Sequence, residues 1–296
     1  MSPCATWHDN ATTFVNKTIL QTEAHGFFID HVDTLYFAQR SKNQLLIWTN
    51  NSVNPIVKSN HNYSKYTTLF VSVDGSIYFN VDITGVIYKT YSYKNTTDFV
   101  IQFEDNCYGL FVDINNVLYC SMTNKHRVDS KSLDNNSSAV KIVAGTGTNG
   151  FASNQLHLPW GIFVNTNLEL YIADANNHRI QLFKPNQLNG TTVAGNKTPN
   201  GLTLKFPTDV ILDADGHLFI ADNQHFRIIR ANLHDYYCVA GCSNGPGSAA
   251  HQLNVTYSLR FDSQGNIYVA DEWNKRIQKF VLATNTCSKF ISNFYA

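Results

Sequence analysis

The sequence predicts an all-β fold, a six-bladed β-propeller of four-stranded antiparallel blades, and two observations support this prediction. The first is an internal repeat: an apolar run, a turn, a second apolar run with a central aromatic residue, and a polar cluster recur six times in the 296 residues. Repeats of 40 to 50 residues without a helical segment are typical of propeller blades. The second is the even spacing of the central aromatic, which is 42, 41, 52, 48 and 49 residues along the series Tyr36, Tyr78, Tyr119, Tyr171, Phe219 and Tyr268.

Each repeat has the local chemistry of strands and hairpins. Runs such as Ile77-Tyr78-Phe79 combine β-branched and aromatic residues, which suit a pleated and packed surface. Pairs such as Asp215-Gly216 stand between the first two runs and tolerate the positive φ of a tight turn. We expect a third strand after each polar cluster, as at residues 180–183, and a fourth in a recurring tail, as at residues 191–195.

The N-terminus is predicted to close the ring. Five fourth-strand tails follow their repeats, and the sixth is missing from the C-terminal end, whereas residues 11–15 resemble residues 190–194. A strand near 11–15 would therefore complete the last blade and remove a free sheet edge. The connection between strands three and four of that blade is cut, with Cys4 on one side and Cys287 on the other, so we expect these two cysteines to form a disulfide.

Length and charge limit the further possibilities. Six blades use all 296 residues, so the whole chain, 1–296, is expected to be one propeller, and a monomeric one. Lys plus Arg and Asp plus Glu both number 22, which gives no overall field that would attract a polyanion, and we expect no nucleic-acid partner. No apolar stretch reaches the 18 residues of a membrane span.

Several features indicate an extracellular protein, and we expect the chain to be the mature part of a secreted glycoprotein whose leader is absent. The start of the chain lacks a charged segment followed by an apolar core. Ten asparagines begin an Asn-X-Ser/Thr acceptor, many of which an Asn-rich chain produces by chance. They are Asn10, Asn16, Asn50, Asn62, Asn95, Asn135, Asn136, Asn189, Asn196 and Asn254.

The six cysteines are an even number, as expected of a disulfide-bonded protein, and they permit 15 connectivities. Cys238 and Cys242 span a strand end and a glycine turn, where their side chains can meet, and no second pair at similar spacing supports a metal site. Cys107 and Cys120 lie on adjacent strands of one blade, although ideal hairpin register does not place them opposite each other. A cytosolic propeller with free thiols is the alternative.

Three polar clusters resemble the NHL-repeat family. They read Asp174-Ala-Asn-Asn-His-Arg179-Ile, Asp222-Asn-Gln-His-Phe-Arg227-Ile and Asp271-Glu-Trp-Asn-Lys-Arg276-Ile. The cluster that ends at Arg127 fits with its acid replaced, and the first two repeats have diverged from the motif. The resemblance implies a six-bladed propeller, in agreement with the strand count. It implies no single activity, because the family includes amidating lyases, RNA-binding modules and extracellular recognition domains.

The recurring Asp and Arg have a structural interpretation. Asp174 with Arg179, Asp222 with Arg227, and Asp271 with Arg276 are each five residues apart, and we expect bidentate ion pairs that hold the turn between strands two and three. Because the pair recurs in every clear repeat, a catalytic role is not expected. His126 and His178 precede the arginines and share this interpretation.

The candidate binding face is the end where the inner strands begin, because the loops between strands two and three converge there. Aromatic residues and amides predominate on this face and suit stacking on sugar rings or anchoring of a protein partner. The simpler alternative is that Trp160 and Tyr257 only pack between blades. The expected ligand-binding residues are His25, Arg40, Tyr108, Trp160, Asp209, Tyr257 and Trp273, with Asn124, Asn176 and Asn223 nearby in the loops.

Function is predicted to be non-enzymatic recognition of a protein or glycan ligand, with no catalytic residue, metal or cofactor. One alternative is a metal-dependent lyase resembling the amidating lyases, which implies a zinc held by three histidines near the channel. His25 is the single histidine among the expected inner-strand starts. A second alternative is an RNA-binding propeller, which the zero net charge disfavours.

Overall fold

The chain folds into six four-stranded antiparallel sheets and one two-stranded sheet. We analysed a computed structural model, which describes residues 5–21, 26–39, 42–49, 52, 54–59, 66–81, 84–94, 96–134, 139–196, 198–243 and 245–285. The six sheets are the blades of a β-propeller, as the sequence predicts. Each blade runs from an inner strand on the central channel to an outer strand.

The first elements of the chain are β1 (Ala5–Trp7), β2 (Thr12–Val15) and the one-turn helix α1 (Lys17–Leu20). Blade 1 contains β3 (Phe27–Ile29), β4 (Leu35–Gln39), β5 (Gln44–Trp48) and β6 (Ile56–Ser59). Blade 2 contains β7 (Tyr66–Val71), β8 (Ser76–Val81), β9 (Val86–Tyr91) and β10 (Asp98–Gln102). Blade 3 contains β11 (Cys107–Val112), β12 (Val117–Met122), β13 (Arg127–Ser132) and β14 (Lys141–Ala144).

Blade 4 contains β15 (Pro159–Val164), β16 (Leu170–Asp174), β17 (Arg179–Phe183) and β18 (Thr191–Gly195). Blade 5 contains β19 (Pro207–Leu212), β20 (Leu218–Asp222), β21 (Arg227–Ala231) and β22 (Tyr236–Ala240). Blade 6 contains β23 (Thr256–Phe261), β24 (Ile267–Asp271) and β25 (Arg276–Phe280), and β26 (Leu282–Asn285) follows. Single 3₁₀ turns join strands two and three in blades 3 to 5, at Thr123–Lys125, Ala175–Asn177 and Asn223–His225.

The N-terminal strand closes the ring. β2 pairs antiparallel with β25, with Thr12 opposite Lys279 and Val15 opposite Ile277, so β2 is the outer strand of blade 6. Val15 is buried in an apolar cluster with residues of blade 1. The closure predicted from the similarity of residues 11–15 to a fourth strand is therefore confirmed.

A second contact between the two ends of the chain lies outside the blades. β1 pairs with β26, and the Trp7 indole donates a hydrogen bond to the Gly265 carbonyl over 2.9 Å. Cys4 and Cys287 lie outside the described residues, so the disulfide that would join them stays a prediction.

The described residues contain two disulfides, and one of them joins cysteines that are not opposite each other in ideal hairpin register. Cys107 is joined to Cys120 across β11 and β12, with Cα atoms 5.1 Å apart, and a β-bulge just after Cys107 shifts the pairing there. Cys238 is joined to Cys242 across the end of β22. No helix among the described residues is long and apolar enough to cross a membrane.

The three Asp–Arg pairs are formed, but with a different geometry from the predicted one. In each pair only the arginine Nε donates to the carboxylate, over 2.7 Å from Arg179 to Asp174, 2.9 Å from Arg227 to Asp222 and 2.6 Å from Arg276 to Asp271. The bidentate expectation is wrong because other guanidinium nitrogens donate to backbone carbonyls of the loop that enters the inner strand. Arg179, for example, reaches the carbonyls of residues 151, 152 and 155.

The aspartate of each pair also binds the loop that enters the inner strand, as a hydrogen-bond acceptor. Asp174, Asp222 and Asp271 each accept a backbone N–H of that loop over 2.7 Å. His126 and His178 also act structurally, since their Nδ1 atoms accept the backbone N–H groups of Leu158 and Phe206. We call each Asp–Arg pair with its loop contacts the entry clamp.

Candidate functional site

The central channel is lined by equivalent positions of the six inner strands. Its mouth is the end where these strands begin, and the turns between strands two and three lie beside it, since Asn176 N–H donates to His157 O and Trp273 N–H to Asn254 O. In β11, β15, β19 and β23 the second residue forms the mouth layer, and the third and fifth residues form two deeper layers. The strand β3 is shorter, and its Phe28, opposite Tyr36, corresponds to the fifth residue of β7, Phe70, which lies opposite Tyr78.

In the mouth layer the ring of Trp160 contacts the rings of Tyr108 and Tyr257. The Trp160 ring lies 4.8 Å from Tyr108 and 5.0 Å from Tyr257, measured between ring centroids, and Phe206 lies 6.0 Å away. Tyr108 is 36% exposed, and Trp160 and Tyr257 are half-buried. We call Tyr108, Trp160 and Tyr257 the aromatic mouth. Packing of Trp160 and Tyr257 between blades, the simpler alternative, is therefore observed, and ligand binding by these residues stays a prediction.

One donor of the aromatic mouth has no partner. The Trp160 Nε1 is buried and makes no hydrogen bond within the described part of the chain. An unpaired buried donor costs free energy, so an acceptor that reached it would be stabilised.

The loop residues expected near the mouth lie on the same face but differ in accessibility. Asn124 is exposed and hydrogen-bonds to Asp105, and exposed Asn176 contacts the ring of His157. Asn223 is buried and donates to Thr256 O over 2.8 Å, so its role is to join blades 5 and 6. Trp273 is 70% exposed. His25 and Arg40 lie outside the described residues.

Asp209 lies one layer below the mouth, and the position that corresponds to Trp160 in blade 5 is Thr208. Its Oδ2 accepts hydrogen bonds from Ser258 Oγ over 2.8 Å and from Arg260 over 2.7 Å. Gly161 makes room for this network, because a Cβ at that position would lie 2.5 Å from Asp209 Oδ1. Asp209 is therefore buried inside the channel wall rather than presented at the mouth.

Arg260 was not among the predicted site residues, although a signal for it exists in the sequence. At the fifth position of the inner strands five blades carry an apolar residue and blade 6 carries arginine. In the third position, by contrast, the residues are small or neutral except for Asp209. The series at the fifth position is Phe28, Phe70, Phe111, Phe163, Ile211 and Arg260, which we call the phenylalanine ring.

Neighbouring members of the phenylalanine ring touch around the channel. Centroid distances are 5.0 Å from Phe28 to Phe70, 4.8 Å from Phe70 to Phe111 and 5.4 Å from Phe111 to Phe163. The Arg260 guanidinium lies 5.6 Å from the Phe28 ring. The phenylalanine ring, as a layer across the channel, separates two cavities. A cavity of about 80 Å³ lies below the aromatic mouth, and one of about 540 Å³ lies at the opposite end of the channel.

Metal-ligating side chains are not gathered at the aromatic mouth within the described residues. There, Asp213, Asp215 and His217 are the one group of three candidate ligands, and they lie in the hairpin between β19 and β20. Asp213 Oδ1 already accepts the backbone N–H groups of Asp215 and His217, and its carboxylate contacts the His217 ring. This group therefore has a structural explanation as a turn.

Known structures share this fold at low sequence identity. A structural genomics protein of unknown function from Bacteroides thetaiotaomicron has a TM-score of 0.75 at 15% identity, over 92% of this chain and 76% of that one. A catalytically inactive virginiamycin B lyase from Staphylococcus aureus with quinupristin has a TM-score of 0.66 at 15% identity, over 92% and 99%. A nidogen/laminin complex has a TM-score of 0.59 at 16% sequence identity, over 72% of this chain and 79% of that one.

These similarities extend to the fold alone, which a lyase and a nidogen/laminin complex both contain. Comparison with curated protein sequences gave no significant match. The NHL repeat matches residues 156–183 and 258–280, which contain the entry clamps of blades 4 and 6. The chain is therefore a six-bladed β-propeller in which blades 4 and 6 match the NHL repeat.

Proposed function

We propose that the protein is a secreted, non-enzymatic recognition module that binds a protein or glycan ligand at the aromatic mouth. The observation that carries this proposal is the contact of Tyr108, Trp160 and Tyr257 around the channel entrance, with centroids 4.8 and 5.0 Å apart. Rigid aromatic rings supply apolar contact area with little loss of side-chain entropy. Exposed Trp273 extends this surface at the rim.

The experiment is a binding measurement on the purified protein. A glycan array and a pull-down from native extracellular material identify the ligand class, and calorimetry gives the affinity. Replacing Trp160→Ala together with Trp273→Ala should weaken binding by at least about 2 kcal/mol, the scale of an interface hot spot, while the fold survives. Leu233→Ser is the matched control, because Leu233 is exposed in the loop between β21 and β22. Unchanged affinity in the double variant would contradict the proposal.

Secretion rests on separate evidence. The described part of the chain has two disulfides, and disulfides persist mainly in oxidising compartments. Four acceptor asparagines, Asn10, Asn16, Asn189 and Asn196, are exposed, as glycan attachment requires. Expression in secreting eukaryotic cells, followed by mass spectrometry of a non-reducing digest, would locate the occupied asparagines and test the Cys4–Cys287 disulfide.

The metal-dependent lyase is distinguished by its metal. That alternative requires one tightly held zinc per chain, lost together with activity in His25→Ala. Metal analysis of the purified protein tests this directly, and stoichiometric zinc bound through His25 would replace the recognition proposal with the enzyme.

A further inference from the structure

A second cavity lies at the opposite end of the channel from the aromatic mouth, where the inner strands end. Its volume of about 540 Å³ falls within the range of about 300 to 1,000 Å³ typical of small-molecule sites. The phenylalanine ring forms its floor, and hairpin turns between the first and second strands form its rim. This site is separate from the proposed recognition surface.

The apolar wall suits a flat apolar body. Phe28, Phe70, Phe111 and Phe163 contact one another in sequence and line the cavity together with Ile211. At the rim, Val73 and Ile114 are 57% and 47% exposed, so the apolar lining continues to the entrance. Aromatic rings favour offset or edge contacts with a further planar group.

The acidic groups of the cavity already accept hydrogen bonds from their own hairpins. Asp113 accepts two backbone N–H groups of its own turn and the Tyr119 hydroxyl, each over 2.9 Å. Asp74 is held by Ser72 and Ser76 in the same way. Both carboxylates are therefore occupied by their own hairpins.

The cations retain donors. Arg260 uses Nη1 for Asp209 and Leu259 O, while its Nε and Nη2 make no hydrogen bond within the described residues. Lys89 lines the same cavity with Nζ 4.0 Å from Asp74 Oδ2 and 5.3 Å from the Tyr78 ring. An anionic group in the cavity would find unsatisfied donors, whereas a cation would meet carboxylates that are already engaged.

We propose that this cavity binds a small organic anion with a flat apolar body, whose charged end pairs with Arg260 at the phenylalanine ring. The apolar body fills the space between the ring and the rim. Binding at this end requires no change at the aromatic mouth, so the two proposals stand or fail separately.

The test compares two fluorescent probes that share one apolar body, the anion 1-anilinonaphthalene-8-sulfonate and the uncharged N-phenyl-1-naphthylamine. The sulfonate should bind one molecule per chain, about tenfold more tightly than the uncharged probe, as one charge-assisted hydrogen-bonded pair provides. Absence of saturable sulfonate binding, or equal or tighter binding of the uncharged probe, would overturn the proposal.

Variants locate the site. Arg260→Met should reduce the affinity for the sulfonate to that for the uncharged probe, and the affinity for the uncharged probe should not change. The double variant Asp209→Asn with Arg260→Met should behave in the same way, and it leaves no unpaired buried carboxylate.

Variants at the exposed rim, where folding is not at risk, test the position of the site. Ile114→Glu should weaken sulfonate binding several-fold, and Ile114→Lys should strengthen it several-fold. Phe99→Ser, on an exposed face of β10, is the control for probe bound to outer surfaces and should change nothing. Equal affinities in the two Ile114 variants, or loss of binding in Phe99→Ser, would place the probe elsewhere.

Discussion

Blades 4 to 6 and blades 1 to 3 hold the loop that enters the inner strand with different chemistry. In blades 4 to 6 an entry clamp does this, and its arginine donates to loop carbonyls while its aspartate accepts a loop N–H. In blade 1 the position of the aspartate is occupied by Gln39, whose buried amide donates to Ile19 O and Leu20 O over 2.9 and 3.0 Å. A neutral amide thus performs the carbonyl-binding part of the clamp.

Blade 3 has an arginine, as the entry clamps do, but lacks the aspartate with which it would pair. Met122 stands where the clamp has aspartate, and Arg127 instead makes a bidentate pair with Asp129 on the same strand, over 2.9 Å for each bond. It also pairs with Glu104, which precedes the inner strand, at 3.2 Å. The Cys107–Cys120 disulfide adds a covalent link at that point. Blades 1, 3, 4, 5 and 6 thus all hold the entering loop by side-chain contacts, and the type of residue that makes these contacts varies.

The largest expected effect concerns blade 6, which has an entry clamp and still depends on the N-terminus. Deleting residues 1–16 removes β1 and β2, exposes the edge of β25 and uncovers two apolar clusters, one that contains Trp7 and one that contains Val15. We expect a loss of about 5 kcal/mol or more, comparable with the whole stability of a typical domain, and hence unfolding or oligomerisation. Thermal melting and light scattering measure both outcomes.

A deletion of residues 1–3 is the control, because it ends before β1. A monomer with unchanged melting after the longer deletion would show that the clamp alone can hold blade 6.

The second prediction relates the burial of each entry clamp to its contribution to the free energy of unfolding. Asp174→Ala leaves the guanidinium of Arg179, whose side chain is 3% exposed, without its anion, and should cost about 3 to 5 kcal/mol in the free energy of unfolding. Asp222→Ala should cost less, because the Arg227 side chain is 25% exposed and keeps contact with water. Chemical denaturation of the two variants gives the comparison.

Asp215→Ala, at an exposed turn, is expected to stay within about 0.5 kcal/mol of the parent. Equal costs for the Asp174 and Asp222 variants would mean that the exposure of the arginine does not determine the cost of losing its aspartate. Burial raises the pKa of Asp174 against the lowering effect of Asn177, the His157 N–H and Arg179, which agrees with a carboxylate whose charge depends on its partners.

The fold could be predicted from the sequence because strand alternation and turn residues recur in all six repeats. Even the diverged blades 1 and 2 keep the aromatic spacing. Tyr36 and Tyr119 show why: each hydroxyl donates to an aspartate of its own first hairpin, Asp30 or Asp113, over 3.0 and 2.9 Å. That contact is local, so blades 1 and 3 can each keep it independently of the rest of the ring.

The channel was less predictable because its properties arise between blades. The contacts among Tyr108, Trp160 and Tyr257 follow once inner-strand starts are assigned, but the depth of Asp209 depends on a one-residue difference in register. The pairing of Asp209 with Arg260 joins neighbouring blades and has no signature within a single repeat. Only an alignment of the six inner strands, position by position, singles out the arginine.

The third prediction compares the two disulfides. Replacing Cys107 and Cys120 together by alanine opens a link over a separation of 13 residues, and should cost about 3 kcal/mol in the chain-entropy model. The same replacement at Cys238 and Cys242, separated by 4 residues, should cost about 2 kcal/mol because the loop is shorter. Equilibrium unfolding without reductant measures both. A larger loss from the shorter loop would show that packing at β22, rather than loop closure, determines the contribution.

The smallest effect concerns pH and a contact that joins the two halves of the ring. His126, in blade 3, accepts the Leu158 N–H of the blade 4 entry loop through Nδ1, which requires an unprotonated nitrogen. Burial, and then the neighbouring His157, lower the pKa of His126 below its ordinary value. The folded state thus favours the neutral ring. Its stabilising contribution should be complete above the unfolded pKa of about 6.5 and should decline as the pH falls below that value.

We therefore expect His126→Asn to reduce the difference in melting temperature between pH 7.5 and pH 5.5. Asparagine tolerates the left-handed backbone at this position, where φ is 52°, and its side-chain oxygen accepts an N–H at either pH. His251→Asn, at an exposed histidine, should keep the pH dependence of the parent protein. If His126→Asn and the parent lose the same stability on acidification, protonation of His126 is not what weakens the junction between blades 3 and 4.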